Sequence, residues 1–359
     1  MKNTTDKFFL AANSFSGFVS KFYDNYFPEK GYRVFIIKGG PGTGKSSFMK
    51  AIANMAKEKG FSVSVCPCSS DPDSLDGVII SDLKTVFFDG TSPHVVEAKY
   101  PGVCENIIDL GQFWDTESLR KNRYEIISAS NINSAFHKTA SLYLSACGEM
   151  RRDSLKTAKS YTKTDKVVGY AKTLCEKYIP EKPGVTGFEH IRFIEGVTPK
   201  GIVTFPETIT DNADKIIAVK DKDGSVSSVI CEYVRRYAIV SGYEIITLKN
   251  PYLPEALTDH IIIPELSLAF VTENDNFKFP KDTKRIYSRR FIDNKSKAAK
   301  KKRIIFNGKV EKELLSSAIE VLRKAKQSHD VLEKYYIDSM NFESLGTFSK
   351  EFTDNLLRS

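Results

Sequence analysis

Hydrophobic residues follow two regular patterns near the start of the chain. Residues 34–38 form an apolar run typical of a buried strand, and a glycine-rich loop follows it. Phe48, Ile52 and Met55 then recur at helical spacing, and residues 61–66 form a second apolar run. The pattern therefore predicts a strand, a loop, an amphipathic helix and another strand.

The same pattern returns in the second half of the chain without a gap, at a constant offset of 182 residues. Residues 215–219 are again apolar, residues 230–238 carry a helical face, and residues 243–248 form another predicted strand. Gly60, before which the first helix is predicted to end, aligns with Gly242. Such self-similarity predicts a tandem duplication.

The similarity extends beyond this stretch in both directions. Gly17 aligns with Gly201 upstream, and residues 76–83 align with residues 259–266 downstream. Each unit is thus predicted to be a β-α-β-β element.

Each unit ends in a long, polar, helix-rich segment, at residues 116–178 and 309–357. Residues 180–184 are rich in proline and glycine, as linkers are. We therefore expect one repeat over 1–185 and another over 186–359. The expected fold is α/β, with two tandem P-loop NTPase repeats, each a mostly parallel sheet with helices and a helical appendage.

The loop of the first repeat fits the P-loop pattern G-x-x-x-x-G-K-[ST]. It comprises Gly39, Gly40, Pro41, Gly42, Thr43, Gly44, Lys45 and Ser46, with Ser47 next in the helix. Such a loop aims backbone N–H groups at phosphates, and the helix presents its positive end to the anion. Lys45 is expected to contact the β- and γ-phosphates of ATP and Ser46 to bind Mg²⁺.

A second ligand for the metal ion is predicted at the end of a neighbouring strand. Residues 84–89 form an apolar run that ends in Asp89, so we expect Asp89 to act with Lys45 in catalysis and with Ser46 at the metal. A simple Asp-Gly turn is the alternative, and no Glu follows Asp89. Further candidates on loops at the same strand ends are Asp71, Asp76, Asp82 and His94.

Two other features bear on the nucleotide. Arg151 and Arg152 are candidates for a cation beside the γ-phosphate, or for a solvated helix face. Residues 162–165 match a guanine-binding signature, but no apolar strand precedes them to aim the aspartate. We therefore predict ATP rather than GTP.

The loop of the second repeat lacks the phosphate-binding residues. Ser227 stands at the lysine position, Val226 replaces the preceding glycine, and Asp221 and Asp223 lie in the loop. Two carboxylates repel a triphosphate. We expect this repeat to have lost nucleotide binding and to serve as a structural or regulatory partner.

The amino-acid composition bears on the cellular compartment of the protein. The chain is 41% hydrophobic and 27% charged, which is typical of a soluble globular protein. No apolar run is long enough for a membrane span or a secretory signal, so a cytoplasmic protein without membrane contact is expected. Six scattered cysteines fit a reducing compartment, and the close pair Cys66 and Cys68 is predicted to be buried rather than metal-binding.

The net charge of +8 is concentrated in one part of the chain, because residues 278–309 carry thirteen lysines and arginines. We expect residues 284–303 to form an exposed, mobile loop. Their alternative role is to bind nucleic acid or another polyanion through phosphates, with Tyr287 and Phe291 stacking on bases. The sequence does not indicate an oligomeric state.

Short segments spread over almost the whole chain carry a family resemblance. They are residues 11–18, 37–46, 71–76, 89–96, 99–102, 110–115, 198–202 and 329–337. With them the chain resembles an uncharacterised bacterial family of tandem P-loop proteins, predicted to be ATPases or nucleotide-kinase-like. Relatives often keep a P-loop lysine in both halves, and this chain departs from that pattern at Val226 and Ser227. The resemblance implies two P-loop halves and ATP as the nucleotide.

The expected function is a Mg²⁺-dependent ATPase or nucleotide-driven switch that uses only the first repeat. One alternative is a kinase that transfers the ATP γ-phosphate to a small molecule or nucleotide. The other is a nucleotide-dependent binding module that does not hydrolyse ATP, which the absence of a Glu after Asp89 favours.

Overall fold

The structure, a computed structural model, describes residues 5–92 and 95–357. The first half contains β1 (Thr5–Lys7), β2 (Ala11–Ser14), β3 (Gly17–Ser20), β4 (Arg33–Lys38), α1 (Lys45–Glu58), β5 (Val63–Pro67), β6 (Leu75–Ile80), β7 (Thr85–Asp89), β8 (Glu105–Asp109), α2 (Thr116–Lys121), α3 (Arg123–Lys159) and α4 (Thr164–Tyr178). The second half contains β9 (Phe188–Arg192), β10 (Glu195–Thr198), β11 (Gly201–Thr204), α5 (Pro206–Asn212), β12 (Lys215–Lys220), α6 (Ser227–Val240), β13 (Glu244–Lys249), β14 (Thr258–Ile263), β15 (Leu268–Glu273), β16 (Lys284–Tyr287), α7 (Asn294–Ile337) and α8 (Phe342–Leu356).

Each half builds a six-stranded sheet with the same strand order. The orders are β1-β5-β6-β7-β4-β8 and β9-β13-β14-β15-β12-β16. In both sheets the third strand of that order runs antiparallel to its two neighbours, and the other pairings are parallel. The prediction of an α/β protein with two mostly parallel sheets and helices is confirmed.

The turns between equivalent strands also agree in backbone detail. Lys84 precedes β7 and Ser267 precedes β15, and both have a left-handed conformation, with φ of 45° and 46°. This conformation is uncommon for residues other than glycine. The same strained turn at equivalent places supports a common local structure for the two halves.

The helices that follow the two sheets cross over to the opposite half. We call α2–α4 the first arm and α7–α8 the second arm. α3 and α7 pack side by side and antiparallel, with Arg151 Nη1 3.1 Å from Glu311 Oε1 and Asn307 Nδ2 2.7 Å from Asp153 Oδ2. Their shared apolar core includes Leu144, Leu155, Ala318 and Leu322.

The last helix of each arm is buried against the other half's sheet layer. In the first arm, Val167 and Leu174 of α4 pack with residues of α6 and the second sheet. In the second arm, the Phe352 ring of α8 lies 5.2 Å from Phe35 and 5.5 Å from Phe48, measured between ring centroids. The division at residues 185 and 186 remains a prediction about the repeat, and both hydrophobic cores extend across it.

The expectation that the basic stretch is a mobile loop is wrong. Residues 284–287 form β16, and residues 295–303 form the first turns of α7. Asp293 caps that helix by accepting a hydrogen bond from Ser296 N at 2.7 Å, which satisfies a free donor of the first turn. Phe291 is only 5% exposed, so it is packed in the core rather than free to stack on bases.

Within the described ranges, no helix has both the length and the apolar composition that a membrane crossing requires.

The crossing of the second arm generates a stability prediction. Replacing half-buried Phe352 with Ala removes ring contacts to the first sheet layer and should lower the free energy of unfolding by about 2 kcal/mol. Tyr124→Ala, at an 82% exposed position of the first arm, should change it by less than about 0.5 kcal/mol. Urea unfolding followed by circular dichroism measures both, and equal shifts would contradict the packing of α8 on the first half.

Candidate functional site

The loop at residues 39–46 has the backbone that an anion site requires. It joins β4 to α1, and Gly42 and Gly44 adopt left-handed conformations with φ of 71° and 87°, which glycine tolerates without strain. No side chain caps the N-terminus of α1. Its first backbone N–H groups and the positive end of the helix dipole therefore remain available to an anion.

The two predicted catalytic residues lie together. Strands β4 and β7 are parallel neighbours, and their register places Asp89 beside Ile37, just before the loop. Lys45 Nζ donates hydrogen bonds to Gly39 O at 3.1 Å and Gly40 O at 2.7 Å, and lies 3.7 Å from Asp89 Oδ2.

Ser46 and Asp89 both offer oxygen atoms of the kind that Mg²⁺ prefers. Both residues line the same cavity, and Mg²⁺ prefers hard oxygen ligands. Ser46 Oγ accepts a hydrogen bond from Leu75 N at 3.0 Å, and Asp89 Oδ1 accepts from Thr91 N and Thr91 Oγ1. These bonds hold the oxygens in place, and Asp89 Oδ2 faces the lysine side of the site.

The loop forms one wall of a cavity of about 930 Å³. The hairpin β2–β3 and the segment after β5 contribute further walls, and the helices α3 and α7 close the remaining side. Polar residues from these elements include Asn13, Ser70, Asp71, Ser130, Asn133, Ser134, His137, Lys138, Lys326, His329 and Glu333. The volume is within the range of small-molecule sites.

The second arm packs directly against the loop. A Cβ atom on Gly40 would overlap the ring of Tyr336, and one on Gly42 would lie 2.8 Å from Glu333 O. A Cβ on Gly44 would lie 2.9 Å from Leu345 Cδ2. The glycines therefore allow helices α7 and α8 to approach closely, in addition to shaping the loop.

Sequence reasoning missed the basic groups that the arms bring to the cavity. Lys326 Nζ of α7 lies 3.4 Å from Asp71 Oδ2 and also pairs with Asp330. Burial lowers the pKa of Lys326, but these carboxylates outweigh it and the net shift is upward. Burial, and then the nearby His329, lower the pKa of His137. No motif marks these residues, because helical periodicity does not reveal which helix faces which cavity.

The direction of each strand determines which of the other acidic candidates reach the cavity. Asp71 and Asp76 line the cavity as expected. Asp82 does not, because β6 is antiparallel and its C-terminal end lies at the opposite edge, where Asp82 accepts a hydrogen bond from Ser62 N at 2.6 Å. His94 lies outside the described residues.

The Cys68 thiol lies near Asp76. Burial of this thiol, and then the Asp76 carboxylate, raise the pKa of Cys68.

The remaining candidates lie away from the cavity lining. Arg151 is paired with Glu311 and Arg152 with Glu149, and neither is among the described residues that line the cavity. Thr162, which starts the guanine-like signature, donates to Ser225 Oγ at 2.9 Å in the degenerate loop. The signature is therefore remote from the loop at residues 39–46.

In the degenerate loop the protein supplies its own anion. Buried Asp221 accepts hydrogen bonds through Oδ2 from Val226 N at 2.7 Å and Ser227 N at 2.9 Å. These N–H groups lie at the start of α6, where a P-loop would hold phosphate. Burial raises the pKa of Asp221, and the two backbone hydrogen bonds oppose that shift. A phosphate bound to these two N–H groups would have to displace the Asp221 carboxylate.

No protein family, curated protein or solved structure was found to match this chain.

The contact between the loop and α7 generates a coupling prediction. Gly40→Ala should lower the melting temperature, because overpacking against Tyr336 costs about 1–3 kcal/mol. The same change in a Tyr336→Ala background should cost much less. Gly346→Ala in α8, with no heavy atom within 4 Å of its Cβ, is the control and should be neutral or stabilising. Strictly additive effects in calorimetry would argue against the contact.

Proposed function

We propose that the chain binds one MgATP in the cavity of its first half and works as an ATPase or an ATP-driven switch. The observation that carries this proposal is convergence on one cavity of the Lys45 ammonium, the uncapped start of α1 and the Asp89 carboxylate. A cation and free N–H groups favour a polyphosphate, and a carboxylate next to them favours a metal ion bound with it.

Each residue has a distinct task in this proposal. The loop N–H groups and Lys45 hold the phosphates and offset the charge that develops during phosphoryl transfer. Lys45 exchanges its present bonds to Gly39 O and Gly40 O for phosphate oxygens. Ser46 and Asp89 would hold Mg²⁺, which supplies positive charge to the phosphates. Asp71 and Glu333 are further carboxylates that line the same cavity.

The position of the second arm next to the loop supports the proposal of an ATP-driven conformational switch. Glu333 and Ile337 of α7 and Phe342 of α8 line the same cavity as the loop, so nucleotide and helices would share one surface. A ligand shifts a conformational equilibrium only through different contacts in the two states. ATP and ADP differ by the γ-phosphate, which would lie at this surface.

A kinase is the second candidate, and the extent of the cavity favours it. The cavity continues past the loop to Ser130, His137 and Lys138 of α3, a polar region with room for a phosphate acceptor. Lysines, rather than the arginines expected on a kinase lid, supply the positive charge there. A binding module without hydrolysis remains the third reading, because Gly90 follows Asp89.

Lys45→Ala should weaken ATP binding at least about tenfold, because it removes a charge-assisted hydrogen bond worth about 2 kcal/mol. Lys222→Ala, in the exposed part of the degenerate loop, is the matched control and should leave binding unchanged. Calorimetry gives the affinities, and phosphate release with ATP alone tests hydrolysis. ADP formed only after nucleotides or metabolites are added would favour the kinase. Equal affinities of wild type and Lys45→Ala would refute the site.

Titration of the whole chain with MgATP should reach one nucleotide per chain, because Asp221 occupies the anion position of the second loop. Lys45→Ala should need at least about tenfold more MgATP to reach half-saturation. A stoichiometry of two, or residual tight binding in this variant, would contradict the assignment of a single site.

A further inference from the structure

The junction of the two arms at the second half carries a dense positive surface. We call this surface the basic end and define it as residues 156–166, from the end of α3 to the start of α4, together with residues 289–303. Lys163 N donates to Phe291 O at 2.7 Å, and Lys300 Nζ donates to Ser160 Oγ at 2.6 Å. These contacts join the two segments, so lysines far apart in sequence form one patch.

Some cations of the basic end form ion pairs, but many do not within the described residues. Arg303 pairs with Asp153 and Lys297 lies 3.5 Å from Asp223. Within the part of the chain that the structure describes, no carboxylate lies within ion-pair distance of seven other exposed lysines. These are Lys156, Lys159, Lys163, Lys166, Lys295, Lys301 and Lys302. Crowded like charges destabilise a fold unless a partner neutralises them.

The opposite end of the arms is an internal control for this charge. There Asp115 N donates to Ser339 O at 2.7 Å, and the equivalent bond at the basic end runs from Asp293 N to Tyr161 O at 2.9 Å. Asp115 and Asp293 are both helix caps. The segments 115–123 and 338–344 nevertheless carry mixed charges. The backbone arrangement therefore does not require the excess of cations at the basic end.

Exposed aromatic side chains accompany the cations. Phe306 is 62% exposed and follows Lys302 by one helical turn of α7, and Tyr287 is 41% exposed. The Arg289 guanidinium lies 5.2 Å from the Tyr287 ring centroid. Aromatic faces beside a cationic surface are the means by which proteins bind single-stranded nucleic acid without reading its sequence.

We propose that the basic end binds the phosphate backbone of single-stranded nucleic acid, with Phe306 and Tyr287 stacking on bases. A membrane surface fits less well. Leu314, Leu315 and Leu322 of α7 pack in the core with α3, so they are not free to enter a bilayer. Ile305 and Phe306 alone do not make the wide apolar face of an interfacial helix.

The test measures fluorescence anisotropy of a labelled 30-nucleotide single-stranded DNA and its RNA counterpart over a range of salt concentrations. Affinity should fall as salt rises, with a slope of about 0.7 for each phosphate contact. Replacing Lys163, Lys166, Lys301 and Lys302 with Gln should weaken binding at least about tenfold and reduce the slope. Phe306→Ala should weaken binding about tenfold and leave the slope unchanged.

Arg120→Gln with Lys121→Gln and Arg123→Gln, at the opposite end, is the matched control and should retain affinity. Circular dichroism and melting temperature check that each variant is folded. No binding of the wild type at low salt would overturn the proposal, as would binding only to phosphatidylserine vesicles or equal losses in both sets of variants. Lys45→Ala should still bind nucleic acid without added nucleotide, so a failure here is separate from a failure of the ATP site.

Discussion

The antiparallel packing of α3 against α7 is the interaction on which the rest of the structure depends. It carries each arm across to the other half, where α4 completes the core over α6 and α8 completes the core over α1. Neither sheet layer has its full apolar cover without the arm of the other half. The two repeats are therefore joined by exchanged helices, and we expect their stabilities to be coupled.

This exchange also determines the candidate site. The loop at residues 39–46 belongs to the first half, but Tyr336, Glu333 and Leu345 of the second half lie against it. The cavity beyond the loop is closed by one helix from each half. A ligand in this cavity would touch both halves at once, so the second half contributes to the cavity through α7.

The loop at residues 221–228 is closed by hydrogen bonds from within the protein. Asp221 stands where the first loop has Gly39, and its carboxylate satisfies two N–H groups that would otherwise remain free at the start of α6. Tyr161 of the first arm donates a hydrogen bond to Asp223 Oδ2 of the same loop at 3.2 Å. Internal hydrogen bonds thus satisfy these N–H groups, and the first arm covers the loop.

The sequence by itself determined the strand, loop and helix at the start of each half and the residues of the loop at 39–46, but it did not predict that residues 284–303 form β16 and the start of α7. Strand and helix positions follow from hydrophobic periodicity, and the pairing of Lys45 with Asp89 follows from a strand that ends beside the loop. Only the tertiary structure decided that β6 runs antiparallel, which moves Asp82 to the far edge, and that the arms cross to bring Lys326 and Tyr336 to the first half. The physical reason is that an amphipathic pattern specifies that a face is buried, whereas the choice of partner depends on packing between segments distant in sequence.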